Sequence, residues 1–262
     1  MTTRTHAIPV AVEAGDGASG HVTLGSRFLS AFNDIENHIR AALGASEDVS
    51  FAHLMPRYAS EKRMQHQHRE ALRAFTRLRN AISHEQYYDG HPIAEPIEDV
   101  VVQIERLRDL IESPPRALTN HPRRDVRIAR PSEPISAVLS VVRKYRYSQL
   151  PVYKASGEYV ALLTTNAIAC WLANQLEDPE LGLAEDQPVS AVLPFIEPHE
   201  VAVHVARSIT AAEAIEALSE GGSRGRPATA LIVTQNGRPH EKPLALLAAD
   251  DLPRLIHSLA LT

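Results

Sequence analysis

The sequence has 262 residues, 44% apolar and 23% charged, with a net charge of -5. That length suits two domains, each with its own core, and the composition is ordinary for a soluble globular chain. A single cysteine, Cys170, excludes an internal disulfide framework, and no apolar run approaches the roughly 18 residues a membrane span needs.

Cys170 sits beside Trp171 in an apolar stretch, so a buried, inert thiol is expected there. One cysteine fits a reducing compartment, and the N-terminus lacks the charged start and continuous apolar core of a secretion signal. The expectation is a soluble cytoplasmic protein. The mild overall acidity hides a local asymmetry. Between Arg57 and His84, Arg57, Lys62, Arg63, Arg69, Arg73, Arg77 and Arg79 outnumber Glu61 and Glu70, which concentrates positive potential where a polyanion can be held.

In chain order, residues 1–22 carry Pro9, Gly15, Gly17 and Gly20 and read as a loose arm with a short extended piece at Ile8–Val12. Phe28, Phe32, Ile35, Ile39 and Leu43 recur at helical spacing, and Gly44 is a stop signal. A shorter helix is predicted over Phe51–Tyr58. From Lys62 to His84 a third helix shows one apolar face of Leu72, Phe75, Leu78 and Ile82. Residues Gln86–Pro96 read as a connection, and Pro96 suits the first turn of a fourth helix bearing Ile97, Val100, Val101, Ile104, Leu107 and Ile111. Four apolar-faced helices in about 90 residues read as a small bundle.

Ser113-Pro114-Pro115-Arg116 to His121-Pro122 is the linker candidate. Beyond it, strand-like and helical runs alternate. Strands are predicted at Val126–Ile128, Leu150–Tyr153 and Tyr159–Leu163, with helices at Ile135–Lys144 and Asn166–Leu176. The order then returns: strand at Val201–Val205, helix at Ala211–Leu218, strand at Ala230–Thr234, a turn at Asn236-Gly237, strand at Pro243–Leu247 and a last helix at Asp250–Leu259. Leu150-Pro151-Val152-Tyr153 and Val160-Ala161-Leu162-Leu163 can be laid on Leu231-Ile232-Val233 and Leu244-Ala245-Leu246-Leu247, which points to an internal duplication. The expected fold class is α+β: an all-α four-helix bundle over residues 23–113, a linker over 114–122, and an α/β duplicated module over 123–262.

That duplicated half resembles a tandem pair of CBS domains. The resemblance is carried by Ser148-Gln149-Leu150-Pro151-Val152-Tyr153 and Ala161-Leu162-Leu163-Thr164 in one copy. In the other it is carried by Ala228-Thr229-Ala230-Leu231-Ile232-Val233 and Ala245-Leu246-Leu247-Ala248-Ala249-Asp250-Asp251-Leu252. It implies an adenine-nucleotide effector site drawing on Thr164, Asp251, Arg127 and Leu150. A hydroxyl at the end of the last strand would contact phosphate or ribose, and a carboxylate three residues later would accept bonds from the ribose diol. The signature is split here. Thr164 is followed by Ala167 in the carboxylate position, whereas Asp251 is preceded by Ala248 in the hydroxyl position, so one degenerate site is expected rather than two equivalent ones. Arg127, Arg143, Lys144 and Arg146 are further candidates for phosphate contact.

The helical half is similar to HEPN domains, bundles whose active members are metal-independent ribonucleases that work as dimers. The residues that carry this are Arg79-Asn80-Ala81-Ile82-Ser83-His84, late in a basic helix. Asn80 and His84 share a helical face, so the amide oxygen can accept from the imidazole, while Arg79 lies about 140° away from His84. The resemblance implies that Arg79, Asn80 and His84 are catalytic, and the basic stripe offers Arg69, Arg73 and Arg77 to hold RNA. His84 would deprotonate a ribose 2′-OH and Arg79 would neutralise charge growing on the phosphate, leaving 2′,3′-cyclic phosphate ends. No metal or other catalytic cofactor is implied. His66 and His68 lie about 200° apart on a helix, which argues against a metal pair. RNA, an adenine nucleotide and a second copy of the chain are the expected partners. The competing reading is a non-catalytic nucleotide sensor whose bundle serves for dimerisation or RNA docking.

Overall fold

The computed structural model describes residues 23–62, 64–84, 94–119, 121, 126–177, 187–220 and 225–261. The predicted arm with its extended piece at Ile8–Val12 lies outside them, as does most of the Gln86–Pro96 connection. The chain forms a mixed α and β protein and divides into two compact units, residues 1–108 and 109–262.

In the first unit α1 runs over Leu24–Leu43 because its apolar residues fall on one stripe: Phe28, Ala31, Phe32, Ile35, Ile39 and Leu43 are all buried. Thr23 caps its start by accepting the Ser26 N–H at 3.1 Å. Gly44 ends it with φ +59°, a left-handed conformation suited to glycine. Helices α2 (Phe51–Glu61) and α3 (His66–His84) follow, and α4 (Glu98–Glu112) begins in this unit and ends in the next. Phe28 meets Phe75 of α3 edge-on at 6.0 Å, and Phe32 meets Phe51 of α2 at 5.3 Å. Arg27 clamps Glu105 with two hydrogen bonds of 3.0 and 2.8 Å and reaches Glu98 at 2.7 Å, tying α1 to α4.

Two expectations for this unit are corrected. Pro96 precedes α4 rather than sitting in its first turn, and Ile97 is 64% exposed. Residue 97 lies outside the helix, where its carbonyl accepts the Val100 and Val101 N–H groups, so helical periodicity does not govern its side chain.

The second unit has two similar halves. In the first, α5 (Ile135–Tyr145) precedes antiparallel strands β1 (Gln149–Tyr153) and β2 (Tyr159–Thr164), then α6 (Thr165–Glu177). The second has β3 (Ala202–Ala206), α7 (Ala211–Ser219), β4 (Ala230–Thr234), β5 (Ala245–Ala248), a 3-10 turn at Ala249–Asp251 and α8 (Leu252–Ser258). Strand β3 runs parallel to β4, and β4 antiparallel to β5. The register exposes the duplication. Leu150 pairs with Leu163 as Leu231 pairs with Leu247, and Gln149 with Thr164 as Ala230 with Ala248.

Each half has its own apolar core. Leu150, Val152, Leu163, Ala167 and Trp171 belong to one; Leu231, Val233, Leu247, Ala214 and Leu255 belong to the other. The segment after α4 joins the second half: Ala117 donates to the Ile209 carbonyl at 2.9 Å and Ala211 donates to that of Pro115 at 2.8 Å. Gly237 turns the chain between β4 and β5 with φ +79°, and a Cβ there would lie 3.0 Å from the Ala206 nitrogen.

Two further expectations change here. No strand forms over Val126–Ile128. Pairing is confined to Ala129, which donates to the Pro151 carbonyl and accepts from Tyr153, both at 3.0 Å, and Pro131 just beyond has no N–H for a ladder. Cys170 is exposed, not buried. The inward stripe of α6 is Ala167, Ile168 and Trp171, and the helical twist carries residue 170 off it.

Candidate functional site

A cleft of about 270 Å³ opens between the two halves of the second unit. One lip is built by the exit of α5. Arg146 ends that helix in the left-handed region, φ 58° and ψ 32°, its N–H bonded to the Val142 carbonyl at 2.8 Å. It is the one non-glycine residue with positive φ among those described. Left-handed geometry costs an L-residue roughly 1–2 kcal/mol, and strain of this kind tends to gather at functional sites. The turn delivers Arg146, Tyr147, Ser148 and Gln149 to the cleft wall, with Arg127 beside them.

Arg127 is held by an aromatic partner. Its guanidinium lies 5.2 Å from the Tyr145 ring centre and donates to the Tyr145 hydroxyl at 3.3 Å. Lys144 sits 5.0 Å from the same ring. The Lys144 contact first, and Arg127 after it, draw the Tyr145 phenol below the usual tyrosine range. Tyr145 in turn stacks on Tyr147 at 5.5 Å, with planes 15° apart.

The opposite lip comes from the end of β5 and the turn after it, with Leu246, Ala248, Asp250 and Asp251. The Asp251 carboxylate is oriented from three sides. Its Oδ2 accepts the Ala248 N–H at 3.0 Å, its Oδ1 accepts from Arg254 at 3.2 Å, and His121 Nε2 lies 3.7 Å from that Oδ1. Arg254 also donates to the Ala117 and Thr119 carbonyls at 2.9 and 3.2 Å, which brings His121 to the cleft. A carboxylate offers about four acceptor positions, so Asp251 retains capacity for a ligand diol.

Residues 118–174 match the family model of the CBS domain. The chain carries a CBS domain. Similar solved structures include a CBS-domain containing protein from Agrobacterium tumefaciens, at 18% identity over 53% of this chain and 90% of that one, with a TM-score of 0.39. The CBS domain of a bacterial CNNM/CorC family Mg2+ transporter in complex with ATP is 19% identical over 60% of this chain and 95% of its own, TM-score 0.39. CBSX2 in complex with AMP is 16% identical over 52% and 91%, TM-score 0.37. No curated protein matches the sequence.

Of the residues singled out for a nucleotide, Arg127, Arg146 and Asp251 line this cleft between the CBS domain and the half that follows it, whereas Arg143 and Lys144 are not among its lining residues. Leu150 does not: it is buried in the core of the CBS domain, while its neighbours Gln149 and Pro151, one step along the pleat on either side, reach the cleft. Thr164 is also buried and elsewhere engaged. Its hydroxyl donates to Glu200 Oε1 at 2.6 Å and accepts the Ala167 N–H at 2.9 Å. Sequence reasoning did not single out Tyr147 or His121. Tyr147 carried a signal, as an aromatic residue just past a helix ending in cations; His121 depends on Arg254, far along the chain, and carried none.

In the first unit the structure places Arg79 and Asn80 in the penultimate turn of α3. The Arg79 guanidinium lies 5.6 Å from the Phe32 ring centre and donates to the Asn80 amide oxygen at 3.3 Å. That oxygen was expected to accept from His84, whose side chain lies outside the described ones. Arg69 is half-buried and Arg77 exposed, while Arg73 is exposed and pairs with Glu70 at 2.6 Å. His66 and His68 fall in the first turn of α3, and His68 is buried.

Proposed function

We propose that the C-terminal unit is a nucleotide sensor that binds an adenine nucleotide in the cleft between its two halves. The observation that carries this is the pairing of chemistries across one small cavity. Arg127 and Arg146 suit phosphate, Tyr147 offers a stacking face, and the oriented Asp251 suits a ribose diol. A volume of about 270 Å³, just under the about 300–1,000 Å³ common for ligand pockets, suits a ligand no larger than a mononucleotide. The CBS domain at residues 118–174 supports adenine as the base.

Titration calorimetry of the full chain with AMP, ADP, ATP and GTP tests the reading. The expected result is saturable binding of an adenine nucleotide that Arg127→Ala weakens at least tenfold. Absence of heat with all four overturns it.

A second reading concerns the first unit: metal-independent RNA cleavage by paired copies of the chain, governed by the bound nucleotide. What favours it is the juxtaposition of Arg79 with an exposed Asn80 late in the basic helix α3. His84 would act as base, Arg79 would stabilise the phosphate, and Arg69, Arg73 and Arg77 would hold the strand. Parent, Arg79→Ala and His84→Ala proteins are incubated with mixed RNA in EDTA, with and without AMP. Cyclic-phosphate products from the parent alone support cleavage; intact RNA throughout leaves α1–α4 as a docking or dimerisation scaffold.

A further inference from the structure

We infer that the unit takes one nucleotide per chain because the second position between the halves, equivalent to the cleft by the duplication, is filled from within by Glu200. This rests on the nucleotide reading above and adds, to the single site that the split signature implies, the residue that closes the second one. The strand register makes the equivalence explicit. Thr164 pairs with Gln149 as Ala248 pairs with Ala230, so Thr164 and Ala167 stand where Ala248 and Asp251 stand in the open cleft. Ala129 bridges to Val152 as Val205 pairs with Val233, so Val203 is the counterpart of Arg127. The same count puts Pro227 opposite Arg146 and Ala228 opposite Tyr147.

The twin position has therefore exchanged two guanidiniums and an aromatic ring for Val203, Pro227 and Ala228. It has also received a carboxylate. Glu200 is 8% exposed, and both its oxygens are taken: Oε1 by the Thr164 hydroxyl at 2.6 Å and Oε2 by the Glu197 N–H at 2.9 Å. Nearby, Asn166 donates to Glu197 at 3.1 Å, a second tie from the start of α6 to the same segment. The Thr164 hydroxyl uses its one proton on Glu200 and accepts the Ala167 N–H, so its donor is spent before any ligand arrives. A phosphate or a ribose diol entering here would have to displace Glu200 and would meet a carboxylate where the open cleft presents cations. The asymmetry is electrostatic as well as steric. One of the two equivalent positions between the halves supplies the ligand's walls, and the other uses the same architecture as an internal staple.

Titration calorimetry of the full chain, with the adenine nucleotide that binds most tightly in the screen above, reads the number of sites. One equivalent per chain is expected in the parent, and the Arg127→Ala, Arg146→Ala double variant should show at least a hundredfold weaker binding with no residual second phase. Glu200→Gln and Thr164→Val should keep one equivalent and a Kd within about threefold, while their thermal midpoints fall. Two equivalents in the parent, a second phase surviving in the double arginine variant, or a loss above tenfold in Glu200→Gln would overturn the single-site inference while leaving nucleotide binding standing. Absence of any binding overturns both. Parent stoichiometry decides the question even where Glu200→Gln does not fold.

Discussion

Arg146 joins a strained backbone to a cleft cation, and two substitutions separate these roles. In Arg146→Ala the guanidinium is lost and the left-handed conformation at φ 58° remains unfavourable; in Arg146→Gly the guanidinium is lost and the strain relaxes. Left-handed geometry costs an L-residue roughly 1–2 kcal/mol, and glycine's extra freedom in the unfolded chain returns about 0.5–1 kcal/mol of that. The glycine variant should thus be more stable than the alanine variant by about 0.5–1 kcal/mol. For a unit of this size that is a difference of roughly 2–4 °C per kcal/mol in the midpoint of thermal unfolding. A charge-assisted hydrogen bond is worth about 1.5–3 kcal/mol, and each 1.4 kcal/mol is tenfold, so both variants should bind nucleotide about 10- to 100-fold more weakly than the parent. Urea unfolding and calorimetry on the three proteins measure the two quantities. Equal stability of the glycine and alanine variants refutes the strain argument, and unchanged affinity in both refutes the phosphate contact.

Other outcomes follow from the same geometry. Leu163→Ala, at a fully buried position between β2 and its helices, should cost about 2–5 kcal/mol in urea unfolding, whereas Leu139→Ala, 42% exposed on α5, should change stability by less than about 0.5 kcal/mol. His204 accepts or donates a 3.0 Å bond with the Tyr153 hydroxyl and packs against Tyr159, and burial holds its pKa below the usual histidine value; the same burial pushes Tyr153 up to about 12. Because the folded value is lowered, stability is fully present above about pH 6.5 and is lost as pH falls through the folded value, so His204→Gln should flatten the stability profile below neutrality. Glu241, accepting from the Asn236 backbone and side chain at 2.7 Å each, is depressed to about 2; its contribution holds above about pH 4.3 and fades as pH falls toward 2, and acid unfolding of Glu241→Gln should lack that portion. Arg79→Ala should lower the stability of the helical unit by about 0.5–1 kcal/mol, the worth of its stacking on Phe32, as read by thermal unfolding.

The helices and strands were legible because each is written in a local period. The α1 stripe from Phe28 to Leu43, the Gly44 stop and the paired runs around Leu150 and Leu231 all have short-range causes. The errors came where a local pattern met a boundary. Ile97 was counted on a helix that starts one residue later, Cys170 was judged by its apolar neighbours although the twist of α6 turns it outward, and Val126–Ile128 has strand residues but pairs only through Ala129. The cleft was half legible. Arg127 and Asp251 are residue types suited to a nucleotide, whereas His121 reaches the site on a segment whose carbonyls at residues 117 and 119 are gripped by Arg254, far along the chain.

What the sequence determined by itself is the duplication and its imperfection, since Thr164 with Ala167 and Ala248 with Asp251 are plain in the linear order. Which of the two equivalent positions between the halves stays open was decided by tertiary structure alone. Thr164 meets a carboxylate 36 residues away, and no periodicity encodes that encounter. A hydroxyl's role depends on what claims its single proton, and only the folded chain names Glu200 as the claimant.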